Sequence, residues 1–191
     1  MKKIVWEVRV TAPPAVLRHC KKCGRKTGHE SSGLFRVNAQ GRLLDVWLIY
    51  RCSHCASTWN AALYSRVNPQ ALDPALLKRF LENDPALAHA YATDLALLRR
   101  LGGEPEPCSY TAEGPCFSFD EPAELHIRCG RGTDSKIAAI LREKLGLSRK
   151  ALGDLLDAGM LVSADGRDLR KARLAGDCVL LVLPQGSAGK A

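Results

Sequence analysis

Two short motifs, Cys20-Lys21-Lys22-Cys23 and Cys52-Ser53-His54-Cys55, constrain this chain more than any other feature. A tetrahedral zinc ion takes four thiolates at about 2.3 Å, and two tight C-x-x-C turns with two sulfurs each meet that demand. The spacing predicts one structural zinc on Cys20, Cys23, Cys52 and Cys55, with iron in the same four-sulfur set as the main competitor. His54 falls inside the second turn, but four thiols already complete the site. A closed sulfur shell leaves no open position for substrate, so the site predicts folding rather than a reaction.

The chain has 191 residues and eight cysteines. The start Met1-Lys2-Lys3 resembles the head of an export signal, but Glu7 and Arg9 interrupt the apolar stretch such a signal needs. No run approaches the roughly 18 apolar residues of a membrane span. The expectation is a cytoplasmic protein, in whose reducing surroundings paired cysteines hold metal rather than form disulfides. Cys108, Cys116, Cys129 and Cys178 match no common metal-binding spacing and are expected as unpaired thiols in loops or core, a second metal site among them being the alternative.

The pattern of residues predicts an α+β chain in several parts. Residues 1–68 read as an N-terminal zinc-ribbon β domain. In it, an alternating strand over Lys3 to Val10 precedes the first cysteine pair. A hairpin with Asn38-Ala39-Gln40-Gly41 at its turn then leads to the second pair, and a strand over Thr58 to Val67 follows. Metal binding is expected to supply much of the folding energy of so small a domain. Residues 69–101 switch to helical period. Asp73-Pro74 and Asp84-Pro85 each pair a capping carboxylate with a first-turn proline, and together they predict a helical hairpin. Residues 102–122 carry Pro105, Pro107, Pro115 and Pro122 and read as a linker or ordered loop. Residues 123–185 predict a small α+β domain, with a strand over Glu124 to Cys129, a helix over Lys136 to Leu145, a second helix capped by Ser148, and strands over Met160 to Ser163 and Val179 to Leu183. Residues 186–191 read as a flexible tail.

The net charge of +8 is gathered at both ends around an acidic middle, which points to a polyanionic partner. Arg149 and Lys150 fall in the first turn of a predicted helix, where the macrodipole disfavours cations. Cations placed there commonly hold an anion, and phosphate fits. Lys136 opens the preceding helix, and Arg167, Arg170, Lys171 and Arg173 cluster in the turn region beyond. Arg36, Arg42, Arg51 and Arg66 are spread along the amino-terminal strands. The aromatics near them, Trp47, Tyr50, Trp59 and Tyr64, are expected mostly in the core, the alternative being a stacking surface for single-stranded nucleic acid.

Leu145-Gly146-Leu147-Ser148-Arg149, then Leu155-Leu156-Asp157-Ala158-Gly159-Met160-Leu161-Val162, then Ala175-Gly176-Asp177 with a closing strand, resemble the RNA-binding domain of ribosomal small-subunit protein four. That resemblance implies two helices on a small sheet and binding of structured RNA. Its phosphate contacts would be Arg149 and Lys150, with Arg167 and Lys171 as weaker candidates and Lys136 as the surviving cation of the opening motif. The family's opening Arg-Leu-Asp followed by a basic residue is Lys136-Ile137-Ala138-Ala139 here. The segment Phe35 to Cys52, with Thr58-Trp59-Asn60 and Tyr64-Ser65-Arg66, is similar to a bacterial family catalogued as domain of unknown function 1062, which also carries paired C-x-x-C motifs.

The chain contains no phosphate-binding glycine loop, no H-E-x-x-H and no nucleophile elbow. The expectation is a non-enzymatic RNA-binding accessory protein with one structural zinc, acting on ribosomal or transfer RNA and using no membrane. The alternative is a protein-interaction scaffold with a degenerate RNA-binding-like domain, motivated by the altered opening motif.

Overall fold

A computed structural model describes residues 1–130 and 133–184, so the tail expected at 186–191 lies outside the described residues. The elements run in chain order as β1 (Lys2–Ala12), β2 (Val16–Cys20), β3 (Arg25–Gln40), β4 (Leu43–Cys52), β5 (Thr58–Val67), a 3-10 turn (Pro69–Ala71), α1 (Pro74–Leu81), α2 (Pro85–Ala92), α3 (Leu95–Arg100), β6 (Glu104–Pro105), β7 (Ser109–Glu113), β8 (Ala123–Cys129), β9 (Ser135–Lys136), α4 (Ile137–Leu145), α5 (Arg149–Asp157), β10 (Leu161–Ser163), β11 (Arg173–Leu174) and β12 (Cys178–Val182). The fold is mixed α+β, as the patterning predicts. No helix among the described residues is long and apolar enough to cross a membrane.

The chain divides into two units, and the division differs from the expected one. Ala12–Ser109 forms one unit. Met1–Thr11, with the chain from Tyr110 onward, forms the other. The strand assigned above to a domain over 1–68 therefore belongs with the carboxy-terminal half. Its partner is β8, in a parallel ladder from Lys2 opposite Ala123 to Val8 opposite Cys129. Parallel strands need a long connection, and here that connection contains the entire Ala12–Ser109 unit.

In the Ala12–Ser109 unit, a five-stranded sheet has the order β5-β4-β3-β2-β6. Alternation along β4 buries Leu44, Val46, Leu48, Tyr50 and Cys52 and leaves Asp45, Trp47 and Ile49 half-buried. The helices pack on this same sheet through Phe80 of α1. Its ring lies 4.9 Å from Phe35 and 5.8 Å from both Tyr64 and Tyr91. Asp73 and Asp84 cap α1 and α2 by accepting from Ala75 N–H and Leu87 N–H, as expected. The predicted two-helix hairpin is instead three helices. Thr93 ends α2, and Asp94 caps α3 by accepting from Leu97 N–H at 2.9 Å. The apolar stripe from Leu87 to Leu98 hid that break, because both helices bury leucines. The segment 102–122 is ordered and supplies β6 and β7.

The second unit has the sheet order β10-β12-β8-β1-β7, covered by α4 and α5. Ile4, Trp6 and Val8 of β1 join Leu125 and Ile127 of β8, Leu180 and Val182 of β12, and Ile137, Ile140 and Leu141 of α4 in one core. Trp6 is fully buried, and its indole N–H donates to the Pro115 carbonyl at 2.9 Å. Gly114 makes that approach possible. Its φ is +138°, and a Cβ there would lie 2.5 Å from the Trp6 ring and from the Val5 carbonyl. A two-stranded pair, β9 with β11, sets Lys136 opposite Arg173 at the start of α4.

Candidate functional site

The turn between β2 and β3 carries Cys20 and Cys23, and the turn between β4 and β5 carries Cys52 and Cys55. Both turns lie at one end of the sheet because β3 pairs with β2 and β4 at once, with Cys20 opposite Arg25 and His29 opposite Cys52. Two backbone bonds close the turns in parallel fashion, Gly24 N–H to Cys20 C=O and Ala56 N–H to Cys52 C=O, each 2.9 Å. Ser53 stitches the second turn to β3. Its N–H and its hydroxyl both donate to the Gly28 carbonyl, at 2.9 and 3.0 Å.

The four sulfurs lie within 4.8 Å of one another. Cys20 Sγ is 3.6 Å from Cys55 Sγ, and Cys23 Sγ is 3.9 Å from Cys52 Sγ. The group is placed to hold one metal ion, and among the described residues no other cluster of ligand side chains forms. Cys108 and Cys178 are buried, Cys129 is half-buried and Cys116 is exposed.

Hydroxyls surround the sulfurs. Ser57 Oγ lies 3.3 Å from Cys20 Sγ and 3.0 Å from Cys55 Sγ, and buried Thr27 Oγ1 lies 3.2 Å from Cys52 Sγ. Donation from Ser57 holds the Cys20 thiol down to about 6, and donation from Thr27 holds Cys52 down to about 7. Cys23 is pushed up to about 12, chiefly by its hydrogen bond with Cys55. Such hydroxyls orient and stabilise thiolate ligands from outside the metal's own shell. Sequence spacing picked out the four sulfurs that lie together here but gave no signal for Thr27 or Ser57.

Both turns place a left-handed residue just after their second cysteine. Gly24 has φ +66°, and its counterpart Ala56 has φ +56°. The left-handed region costs an L-residue about 1–2 kcal/mol, so Ala56→Gly is expected to stabilise the metal-bound protein by about 1 kcal/mol. Urea unfolding curves of the loaded proteins measure this. An unchanged or lowered midpoint refutes the assignment of strain.

The basic residues of the other unit partly converge. Lys136 and Arg149 line one cleft of about 400 Å³ with Arg142 and Arg170, over a floor that includes Ala138, Ala139 and Gly153. Lys136 is the N-cap residue of α4, fixed by the β9–β11 pairing and by donation from Ile137 N–H to Ala172 C=O at 3.0 Å. Arg149 is the first residue of α5, whose N-terminus Ser148 caps by accepting from Ala151 N–H. Arg170 is held by Asp157 at 2.6 Å and by the Gly153 carbonyl at 3.3 Å. The Nε of Arg142 is buried with no hydrogen-bond partner among the described residues.

Lys150, Arg167 and Lys171 are exposed and do not line this cleft. Arg167 is instead paired with Asp165 at 2.7 Å, which holds that carboxyl well below its ordinary range. Sequence reading passed over Arg142. The Ala138-Ala139 pair, read as loss of a charged motif, is where the cleft is hollow, and Arg142 enters it from the next turn of α4.

Of the four amino-terminal aromatics expected mostly in the core, only Tyr50 is buried, and Trp47, Trp59 and Tyr64 are half-buried. Tyr50 is fully buried, Tyr64 packs on Phe80, and Trp59 lies beneath Arg18. Trp47 also has a cationic neighbour, the Arg36 guanidinium 5.9 Å from its ring.

Compared with known proteins, residues 37–167 match the family model described as a protein of unknown function, DUF1062. No curated protein and no solved structure gives a match.

Proposed function

The chain belongs to the DUF1062 family, which brings no activity with it, and we propose that it is a non-enzymatic RNA-binding protein built on a zinc ribbon and an RNA module of the ribosomal-protein-four type. The observation that carries the reading is the cleft in which Lys136, Arg142, Arg149 and Arg170 meet with no carboxylate among its lining residues. Two helix starts, at Lys136 and Arg149, contribute to the same wall. Cations and helix N-termini facing one hollow suit the phosphates of a nucleic acid backbone, which take charge-assisted hydrogen bonds from both. Two short helices on a small sheet present a fixed shape, which suits structured ribosomal or transfer RNA better than an extended single strand.

Zinc is the metal that best suits the four-thiol end. Zinc–sulfur bonds of about 2.3 Å give tetrahedral edges near 3.8 Å, and the two sulfur pairs stand at 3.6 and 3.9 Å. When bound, the ion would be held by Cys20, Cys23, Cys52 and Cys55 and would supply folding energy rather than chemistry.

The reading is tested by RNA binding against salt. Each neutralised phosphate contributes about −0.9 to the slope of log affinity against log salt on a duplex. Arg170 is already paired with Asp157, so Lys136, Arg142 and Arg149 predict a slope of about −2 to −3 for a structured RNA. A protein that binds no RNA at low salt, or that is recovered from cells in a complex insensitive to nuclease, is instead the protein-interaction scaffold.

A further inference from the structure

A second basic pocket lies in the Ala12–Ser109 unit, beside the thiols. It has a volume of about 520 Å³, and its walls include Arg18 and His19 of β2, Lys21 and Lys22 of the first cysteine turn, buried His29 of β3, and Trp59 of β5. No carboxylate lines it. The Arg18 guanidinium lies over the Trp59 ring, 4.1 Å from its centroid. That ring is held in turn by Tyr50, at 5.0 Å, and by the edge of His29, at 6.3 Å. The His29 Nδ1 is 3.1 Å from the Thr27 carbonyl, so that ring is fixed as well. Arg18 is thus a positioned cation on a rigid aromatic platform.

Its charge lacks a full counterpart. Nη1 of Arg18 is buried with no hydrogen-bond partner among the described residues. Four thiolates on a divalent ion carry a net charge of −2. Arg18, Lys21 and Lys22 together exceed it, and a partly desolvated cation is costly unless an anion faces it.

We infer that this pocket takes a phosphate group, with Arg18 as its central anchor and Lys21 and Lys22 as flanking charges. Three cations around one hollow suit a multiply charged oxyanion better than a single carboxylate, and the guanidinium fork matches phosphate geometry. The phosphate is that of an RNA strand or of a small phosphate ester. The inference goes beyond the function proposed above, because it lies in the other unit and needs none of Lys136, Arg142, Arg149 and Arg170.

The test is a titration of the metal-loaded full chain, followed by the indole N–H signal of Trp59 in ¹⁵N-correlated NMR and identified by its loss in Trp59→Phe. The probes are inorganic phosphate and a short oligouridylate, each at constant ionic strength against chloride. The expected result is a saturable shift of the Trp59 signal with at least one probe. Arg18→Gln, with metal content unchanged, is expected to weaken it by about tenfold or more. Tighter binding of the oligonucleotide assigns the site to RNA. Tighter or equal binding of phosphate assigns it to small phosphates. If Arg18→Gln loses metal, the double variant Lys21→Gln with Lys22→Gln, on exposed turn positions, must show the loss of affinity instead. No saturable shift with either probe, or full affinity in the variants that keep their metal, overturns the inference.

Discussion

Removing the metal from the intact chain is expected to unfold the four-thiol end of the Ala12–Ser109 unit and to cost that unit several kcal/mol, comparable with the whole stability margin of a small domain. The reason lies in what the sulfurs terminate. Cys20 ends β2 and Cys52 ends β4, both buried, and β3 runs between them. Without a cation, the four sulfurs are left with only weak sulfur–sulfur contacts at 3.6 and 3.9 Å. The aromatic cluster of Phe35, Tyr64, Phe80 and Tyr91 belongs to α1, α2 and the strands they cover, which leaves Tyr50, Trp59 and His29 as the ring packing beside the thiols. Hydrogen exchange after stoichiometric chelation should therefore show early loss of protection at Gly24, Cys52, Ser53 and Ala56, whose amides make the turn bonds. The Trp6 core of the other unit, which contains none of the four ligands, should retain its own protection. Cys52→Ser should reproduce the effect. A melt unchanged by complete metal removal would show that the turns stand without the ion.

The outcome of that experiment bears on what a sequence can disclose. The grouping of Cys20, Cys23, Cys52 and Cys55 was legible because the geometry is local, each pair of thiols being fixed by a four-residue turn. The helix starts at Asp73, Asp84 and Ser148 were legible for the same reason, since each cap is a bond to an amide two or three residues away. The partner of β1 was not legible. Alternation of Ile4, Trp6 and Val8 says that one face is buried, but it does not say against which strand, and a parallel partner across a whole inserted unit leaves no local trace. The cleft residues divide along the same line. Lys136 and Arg149 announced themselves by sitting at helix starts, where cations are unexpected. Arg142 and Arg170 reach the same hollow from mid-helix and from a turn, and nothing in their immediate neighbours distinguishes them from Arg167, which lies outside it; Arg170 and Arg167 are each paired with a nearby aspartate.

That contrast gives the sharpest functional expectation. Reversing Lys136 and Arg149 together to glutamate is expected to lower affinity for structured RNA about 100-fold at low salt, or about 2.7 kcal/mol. Reversing the adjacent Lys150 should cost far less, because its side chain is exposed and does not line the cleft. The double variant should also keep its fold. Both positions are exposed, and both lie at the start of a helix, Lys136 as the N-cap of α4 and Arg149 as the first residue of α5. An acidic side chain there interacts favourably with the helix dipole where a cation does not, so the thermal midpoint should hold or rise. Lost binding with retained or improved stability separates a residue kept for a ligand from one kept for the fold. Binding assays across a salt series, with circular dichroism melts of the same samples, measure both quantities. If the double variant binds as the parent does, or if Lys150→Glu is equally damaging, the cleft between α4 and α5 is not where the RNA sits.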